Sequence, residues 1–137
     1  REFGGIPLLE IKTEEPVQVI DITRQVNDAV RESGVAEGIC LVYTLHTTTG
    51  IIINEAESGL VADLLRRLAS LAPPRDGYLH DRIDDNAHAH LQAVLLGNSR
   101  TIPVEEGCLA LGTWQRVLFV ELDGPRRRSV LIKVLPG

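Results

Sequence analysis

The chain has 137 residues, 44% of them hydrophobic, and a formal net charge of −5. This length and apolar content predict one domain with one core, and the acidic balance argues against a nucleic-acid partner, because phosphate backbones are bound by basic surfaces. No stretch approaches the ~20 apolar residues of a membrane span, and the first residues show no signal-peptide pattern. We therefore expect a cytoplasmic protein with no membrane and no nucleic-acid partner.

The first half of the chain predicts strands around one helix. Residues 1–5 are expected to be a disordered or processed end without a role in the fold. Residues 7–12 and 16–20 read as two strands or a hairpin, because they are rich in alternating and β-branched side chains. A helix follows and ends at Gly34, with an apolar stripe of Ile22, Val26, Ala29 and Val30. Residues 38–45 are almost entirely apolar, which is typical of a central strand covered on both faces.

The second half predicts two more helices and the closing strands. One helix begins at Ser58, and its inner stripe is Leu60, Leu64, Leu68 and Leu71. Another is capped by Asp84 or Asp85 and ends at Gly97, with Ala87, Leu91, Val94 and Leu95 facing the core. Further strands are expected at residues 101–104, 108–111, 116–122 and 129–135. The result is a single α+β domain with a mostly antiparallel sheet of about seven or eight strands and about three helices.

The two cysteines, Cys40 and Cys108, both lie in apolar stretches and form no CxxC pair. We expect both to be buried free thiols rather than partners in a disulfide or a metal site.

Residues 78–91, with the sequence YLHDRIDDNAHAHL, contain the densest group of polar functional side chains. They include His80, His88 and His90 as well as Asp81, Asp84 and Asp85. On the predicted helix, Asn86 and His90 are one turn apart and can face one pocket, whereas His88 lies about 200° from His90 around the axis. The pattern indicates a functional site that uses His80 and His90 but not His88.

A second polar segment follows the predicted central strand. His46 is succeeded by Thr47, Thr48 and Thr49, and residues 51–53 then lead to Asn54 and Glu55. Threonines in a simple hairpin turn can satisfy backbone groups without any other role. The histidine at a strand end favours a site, because loops above strand ends often carry binding groups.

Two separated stretches near the C-terminal end resemble the signature of the YjbQ family, the uncharacterised protein family UPF0047, which is also called secondary thiamine-phosphate synthase. They are residues 99–107 (SRTIPVEEG) and 112–117 (GTWQRV). Other segments match the family's motifs in the same order, namely 46–48 with 54–55, 80–81, 84–85, Ala87 with His90, and 123–126. The resemblance extends from about Val17 to Leu135.

The resemblance implies a small α+β subunit that assembles as a homotrimer. It also implies an enzyme that joins hydroxymethylpyrimidine diphosphate to thiazole phosphate with release of diphosphate, as a weak or secondary activity. Two alternatives stay open: a metal-dependent hydrolase or lyase of a small phosphorylated substrate, and a non-catalytic trimeric protein that binds a small anion or a metal. The expected catalytic residues are His46, Glu55, Asp81 and His90. The expected substrate-binding residues are Thr47, Thr48, Asn54, Asp84, Asp85, Asn86, Thr113, Gln115, Arg126 and Arg128.

A divalent metal, zinc or magnesium, is the expected cofactor. Neutral imidazoles of His46, His80 and His90 would suit zinc and leave a position open for water or substrate. Alternatively, these histidines bind an anion or orient backbone groups without a metal. In a further alternative, the carboxylates of Asp81, Asp84, Asp85 and Glu55 hold magnesium against a diphosphate.

Two basic side chains near the C-terminal end complete the predicted site. Arg126 and Arg128 are candidates for phosphate binding, and strand alternation would place them on the same side. Trp114 is expected in the core or at a subunit interface rather than stacked on a substrate ring.

Overall fold

The computed structural model describes residues 2–137. The elements in chain order are β1 (Glu2–Phe3), β2 (Ile6–Lys12), β3 (Gln18–Asp21), α1 (Thr23–Ser33), β4 (Gly38–Thr44), β5 (Thr49–Asn54), α2 (Ser58–Leu71), a short 3-10 helix (Leu79–Arg82), α3 (Ala87–Leu96), β6 (Ser99–Glu105), β7 (Cys108–Leu109), β8 (Arg116–Glu121) and β9 (Arg127–Pro136). This confirms the α+β class and the three helices. Within residues 2–137, no helix combines the length and the apolar character needed to cross a membrane.

The strands form two sheets, and every strand pair is antiparallel. The larger sheet has the order β1-β2-β9-β4-β6-β7, and the smaller has the order β3-β8-β5. Strands β2 and β3 therefore belong to different sheets and do not form a hairpin. The segment from Leu45 to Thr48 carries the chain from β4 in one sheet to β5 in the other, which explains why it is more than a simple turn.

Strand β4 is central, as predicted, because β9 and β6 pair with its two edges. Only one of its faces is covered. Cys40 and Val42 are fully buried, whereas Ile39 and Tyr43 are 43% and 36% exposed. The prediction of a strand covered on both faces was wrong, since no helix formed by residues 2–137 covers the outer face of the six-stranded sheet.

The main core lies between the two sheets and against α1. Buried side chains of β4, β8 and β9, such as Val42, Phe119 and Val130, meet there with the predicted stripe of α1, including Val26 and Val30. Gly34 ends α1 in the left-handed conformation at φ 72°, as its position predicted. Strand alternation sends Glu121 and Arg128 towards the same side as these apolar residues, at the edge of the core.

Helices α2 and α3 cover the other face of the three-stranded sheet. Leu68, Ala89, Ala93 and Leu96 form a second core there with Val120 and Leu122. The predicted stripe of α3 was right for Ala87, which is 4% exposed, and wrong for Leu91, Val94 and Leu95, which are 43%, 78% and 59% exposed. This helix is apolar on nearly all sides, so its sequence pattern does not reveal which face is buried. On α2, Leu60 and Leu71 are likewise exposed rather than inward.

Two further predictions differ from the structure. Glu2 and Phe3 pair with Pro7 and Ile6, so this end of the chain does take part in the larger sheet. Both cysteines are free, but only Cys40 is buried, and burial raises the pKa of its thiol to about 11. Cys108 is exposed, because it lies in the two-residue edge strand β7.

Candidate functional site

The 3-10 helix, the start of α3 and the loop after β8 bring four polar side chains together. His80 Nε2 lies 3.1 Å from Asn86 Oδ1, and Asn86 Nδ2 donates to Asp123 Oδ2 at 2.9 Å. The ring of His90 meets that of His80 edge to face, with 4.8 Å between the centroids. We call His80, Asn86, His90 and Asp123 the histidine cluster. Asn86 and His90 both contact His80, as their spacing of one helical turn allows.

The hydrogen bonds of the cluster determine where the His80 proton lies. Because a carboxylate only accepts, the amide group of Asn86 must face Asp123 and its oxygen must face His80. An oxygen at that position requires a hydrogen on His80 Nε2, so the neutral imidazole has its free lone pair on Nδ1. His80 is exposed while Asn86 is only 9% exposed. The exposed His80 therefore has a free lone pair on Nδ1, and the buried Asn86 fixes its ring through Nε2.

The aspartates of this segment have local structural roles. Asp81 Oδ1 accepts the N–H of Ala87 at 3.1 Å, which satisfies one of the unpaired donors at the start of α3. Asp84 and Asp85 are exposed, and Asp84 Oδ1 accepts the N–H of Asp85. The prediction that Asp84 or Asp85 caps this helix was wrong, since Asp81 reaches it from the preceding 3-10 helix.

His46 lies in a second polar group, next to β9. The ring Nε2 of His46 accepts the backbone N–H of Ser129 at 2.8 Å. The backbone N–H of His46 donates to Thr44 Oγ1 at 3.3 Å. Burial lowers the pKa of His46, and the charge of Arg128 lowers it further. The neutral imidazole is therefore favoured.

Arg128, the residue before Ser129, forms a buried ion pair with Glu121. Arg128 donates to both carboxylate oxygens of Glu121, at 2.8 and 2.5 Å, and to Thr48 Oγ1 at 2.9 Å. Arg128 is 4% exposed and Glu121 is 0% exposed. The guanidinium of Arg128 is thus buried and hydrogen-bonded to Glu121 and Thr48. This position does not support the prediction that Arg128 binds phosphate.

Arg126 differs from Arg128 in exposure. It lies in the loop before β9, is exposed, and its Nη2 is 3.3 Å from Asp123 Oδ2. The two arginines are not on the same side of one strand, because only Arg128 belongs to β9. Of the two, Arg126 is the one that could reach a phosphate.

The loop after β8 connects the two polar groups. The backbone N–H of Asp123 donates to Glu121 Oε2 at 3.1 Å, while the Asp123 side chain holds Asn86. In addition, the N–H of Leu122 donates to the carbonyl of Thr48. Segments 46–48, 80–90 and 121–129 are therefore joined by direct hydrogen bonds, although they are far apart in sequence.

Four predicted site residues lie away from both polar groups, namely Asn54, Glu55, Thr113 and Gln115. In the pairing of β5 with β8, Thr49 is opposite Glu121 at one end and Asn54 is opposite Arg116 at the other. Five residue steps of extended strand separate these ends by ~16 Å. The exposed side chains at the far end are Asn54, Glu55, Thr113 and Gln115. Gln115 Oε1 there accepts the N–H of Gly112 at 2.8 Å.

Trp114 and His88 lie outside both polar groups. Trp114, beside Gln115, is 72% exposed and so is not a core residue. His88 lies on a different side of α3 from His90, and its buried Nδ1 has no hydrogen-bond partner within residues 2–137. Its separation from the histidine cluster agrees with the helical geometry expected from the sequence.

The predicted metal ligands do not converge within one chain. Among residues 2–137, no three or more His, Cys, Asp or Glu side chains are placed so that they could hold a metal ion. His46 Nε2 is already occupied by the N–H of Ser129, and Glu55 lies at the far end of β5. Neither the set of His46, His80 and His90 nor the carboxylate set is thus formed in a single subunit.

Sequence reasoning missed three contributors to the two polar groups. Glu121 had a usable signal, because it is a charged residue in phase with the inward-facing Val117 and Phe119 of β8. In the sequence, Asp123 stands out only as part of the motif at 123–126. Ser129 acts through its backbone N–H, so its side-chain type carries no signal for this contact.

The comparisons with known proteins agree with one another. The family model described as UPF0047 protein YjbQ-like matches residues 8–137. A UPF0047 protein of Archaeoglobus fulgidus is 55% identical over 93% of this chain and 98% of its own length, and YugU of Bacillus subtilis is 41% identical over 93% and 96%. A YbjQ-like protein of unknown function from Sulfolobus solfataricus has a solved structure with a TM-score of 0.93 and 42% identity, covering 96% of each chain. The chain belongs to the YjbQ-like UPF0047 family.

Proposed function

We propose that the protein is an enzyme that acts on a small phosphorylated substrate at the histidine cluster. The observation that carries this proposal is the hydrogen-bonded sequence Asp123–Asn86–His80, which holds an exposed imidazole with its free lone pair on Nδ1. A catalytic histidine needs such a support, because the group bonded to one ring nitrogen determines the state of the other. Arg126 beside Asp123 supplies an exposed positive charge for a phosphate.

The reaction to test first is the one that the resemblance to the YjbQ family implies. The lone pair of the thiazole nitrogen forms a bond to the methylene carbon of the pyrimidine, and the bond from that carbon to diphosphate breaks, with the electron pair leaving on diphosphate. No proton is transferred in this step. The protein has to orient the two rings and stabilise the leaving charge, as Arg126 could do.

Hydrolysis or elimination of a small phosphorylated compound is the second candidate. It is favoured by the free Nδ1 of His80, since the joining reaction does not require a base. In hydrolysis, a water oxygen would bond to phosphorus while His80 takes its proton, and the ester bond would break with the electron pair on the leaving oxygen.

Product analysis of untagged protein separates these candidates. The pyrimidine diphosphate is incubated with and without thiazole phosphate, each with and without added magnesium or zinc. Thiamine phosphate formed together with diphosphate supports the joining reaction, whereas diphosphate or phosphate released without thiazole phosphate supports the hydrolase or lyase. Absence of turnover under all conditions, with tight binding of the phosphorylated compound, would instead indicate a non-catalytic binding protein.

The homotrimer is part of the same proposal and is supported by two exposed apolar surfaces. One is on the 3-10 helix and α3, where Ile83 and Val94 are 86% and 78% exposed, and the other is on the outer face of the six-stranded sheet, with Ile39 and Leu135 at 43% and 44%. They lie on opposite outer layers of the fold. A cyclic trimer requires two different surfaces that meet head to tail, whereas a twofold dimer requires only one.

We expect Leu95→Lys to convert a trimer into monomers, because it places a charge within the first of these surfaces. Leu95 is 59% exposed in the single chain, so the substitution should leave the fold intact. Light scattering coupled to size-exclusion chromatography measures the mass. Ala62→Lys, on the exposed side of α2, is the matched control and should remain trimeric. A monomeric natural protein would contradict the trimer.

A further inference from the structure

A hollow of about 420 Å³ opens beside His46, between the end of β4 and α3. Its polar lining comes from His46, Thr47, Thr49 and Asn98, and its apolar lining includes Ala93 and Val94. Of the residues that the structure describes, no Asp or Glu lines it, although the chain as a whole has a net charge of −5. The hollow is therefore suited to a group that accepts hydrogen bonds.

The hydrogen bond from Ser129 determines the tautomer of His46. A backbone N–H can only donate, so Nε2 of His46 carries no hydrogen. The neutral ring then has its hydrogen on Nδ1, which is the less common tautomer of free histidine. Burial and Arg128 both lower the pKa of His46 and so favour this neutral form. Towards a ligand, His46 can thus donate through Nδ1 but offers no free lone pair.

The backbone donor is itself firmly placed. Ser129 lies within β9 opposite Glu10 of β2, and its carbonyl accepts the N–H of Leu45 at 3.4 Å. Its neighbour Arg128 is fixed by Glu121 and Thr48. The position of His46 therefore depends on the pairing of strands rather than on a mobile loop.

We propose that this hollow binds a phosphoryl oxygen of the substrate and that His46 donates its Nδ1 hydrogen to it. The inference rests on the proposed function and assigns His46 a role opposite to that of His80: one ring donates a hydrogen bond, and the other accepts a proton. Thr47, an exposed residue of the lining, supplies its hydroxyl as a second donor. The hydroxyl of Thr49 is hydrogen-bonded to Thr44 Oγ1 at 2.7 Å, which fixes this part of the lining of the hollow.

Long-range ¹H–¹⁵N spectra of labelled protein test the tautomer directly. The four histidines are assigned with single His→Gln variants. At neutral pH, His46 is expected to show a protonated Nδ1 and an unprotonated Nε2, and His80 the reverse. An Nε2-protonated His46 would overturn the inference, whatever the outcome of the activity assay.

Titration with inorganic diphosphate tests the ligand. The Nδ1 signal of His46 should shift saturably, while the signals of His88 should not. Thr47→Val is expected to weaken this binding several-fold and to leave the His46 tautomer unchanged, since Thr47 takes no part in the bond to Ser129. An unchanged His46 signal at saturating diphosphate would exclude the phosphoryl site. Because binding is observed without turnover, this result is independent of whether the proposed reactions occur.

Discussion

Replacing His80 with asparagine is expected to lower kcat by about 10²- to 10⁴-fold, the range associated with loss of a general base. The side chain that remains has no basic nitrogen, but it is polar and fills part of the same space beside Asn86. Because His80 is exposed, the variant should fold and assemble as the natural protein does. The rate is measured on whichever substrate the product analysis identifies, and circular dichroism and light scattering verify the fold and the mass.

His88→Asn is the matched control, since His88 lies in the same region of sequence but on another side of α3. It should leave kcat unchanged. Asp123→Asn tests the positioning of His80, because an amide at 123 no longer forces the amide group of Asn86 to face it. We expect a smaller loss of kcat and a displaced pH profile in that variant. Equal losses in the His80 and His88 variants would rule out the assignment of His80 as the base.

The elements of the fold were largely predictable because their periodicity is local. The stripe of Val26 and Val30 and the strand at 38–45 required no knowledge of distant residues. The face of α3 could not be predicted for a physical reason. Its outward side, with Val94 and Leu95, is as apolar as its inward side, and only packing against β5 and β8 distinguishes the small Ala89 and Ala93 as the buried ones.

The site was only partly predictable because sequence distance and spatial distance diverge along strands. Thr49 and Asn54 are close in sequence but mark opposite ends of β5, so residues 54–55 lie away from His46. In contrast, His46 and Ser129 are 83 positions apart and share a hydrogen bond. Pairing of β4 with β9 creates that contact, and neither strand's own sequence specifies the pairing.

Removing Arg128 should have the largest effect on stability. Arg128→Met is expected to lower the free energy of unfolding by about 3–5 kcal/mol, because it leaves the carboxylate of Glu121 buried and unpaired. Glu121 is 0% exposed, and Thr13 Oγ1, at 2.7 Å, is its nearest other side-chain partner. Urea denaturation at pH 7 measures the change. The substitution keeps most of the apolar volume, so a loss of this size would reflect the unpaired charge.

A double-mutant cycle separates the pair from its surroundings. Glu121→Leu combined with Arg128→Met should be less destabilised than the sum of the two single variants, since an apolar pair requires no charge compensation. The remaining loss would come from Thr13, Thr48 and the N–H of Asp123, which lose a polar partner. Strictly additive changes would show that the two side chains do not stabilise each other.

The dependence of this destabilisation on pH has a defined sign. In the natural protein, burial alone would raise the pKa of Glu121, but hydrogen bonds from Arg128 and Thr13 outweigh it and hold the pKa below its ordinary value. Its contribution to stability is therefore present above the pKa of the unfolded chain and is lost as the pH falls through the folded pKa. Without Arg128, we expect burial to outweigh the remaining hydrogen bonds and to place the folded pKa above the unfolded one, so the variant should gain relative stability on protonation. The difference in unfolding free energy between the natural protein and Arg128→Met should accordingly shrink as the pH is lowered from 7 to 4. A difference that stays constant would show that the loss of stability comes from packing and not from the unpaired charge of Glu121.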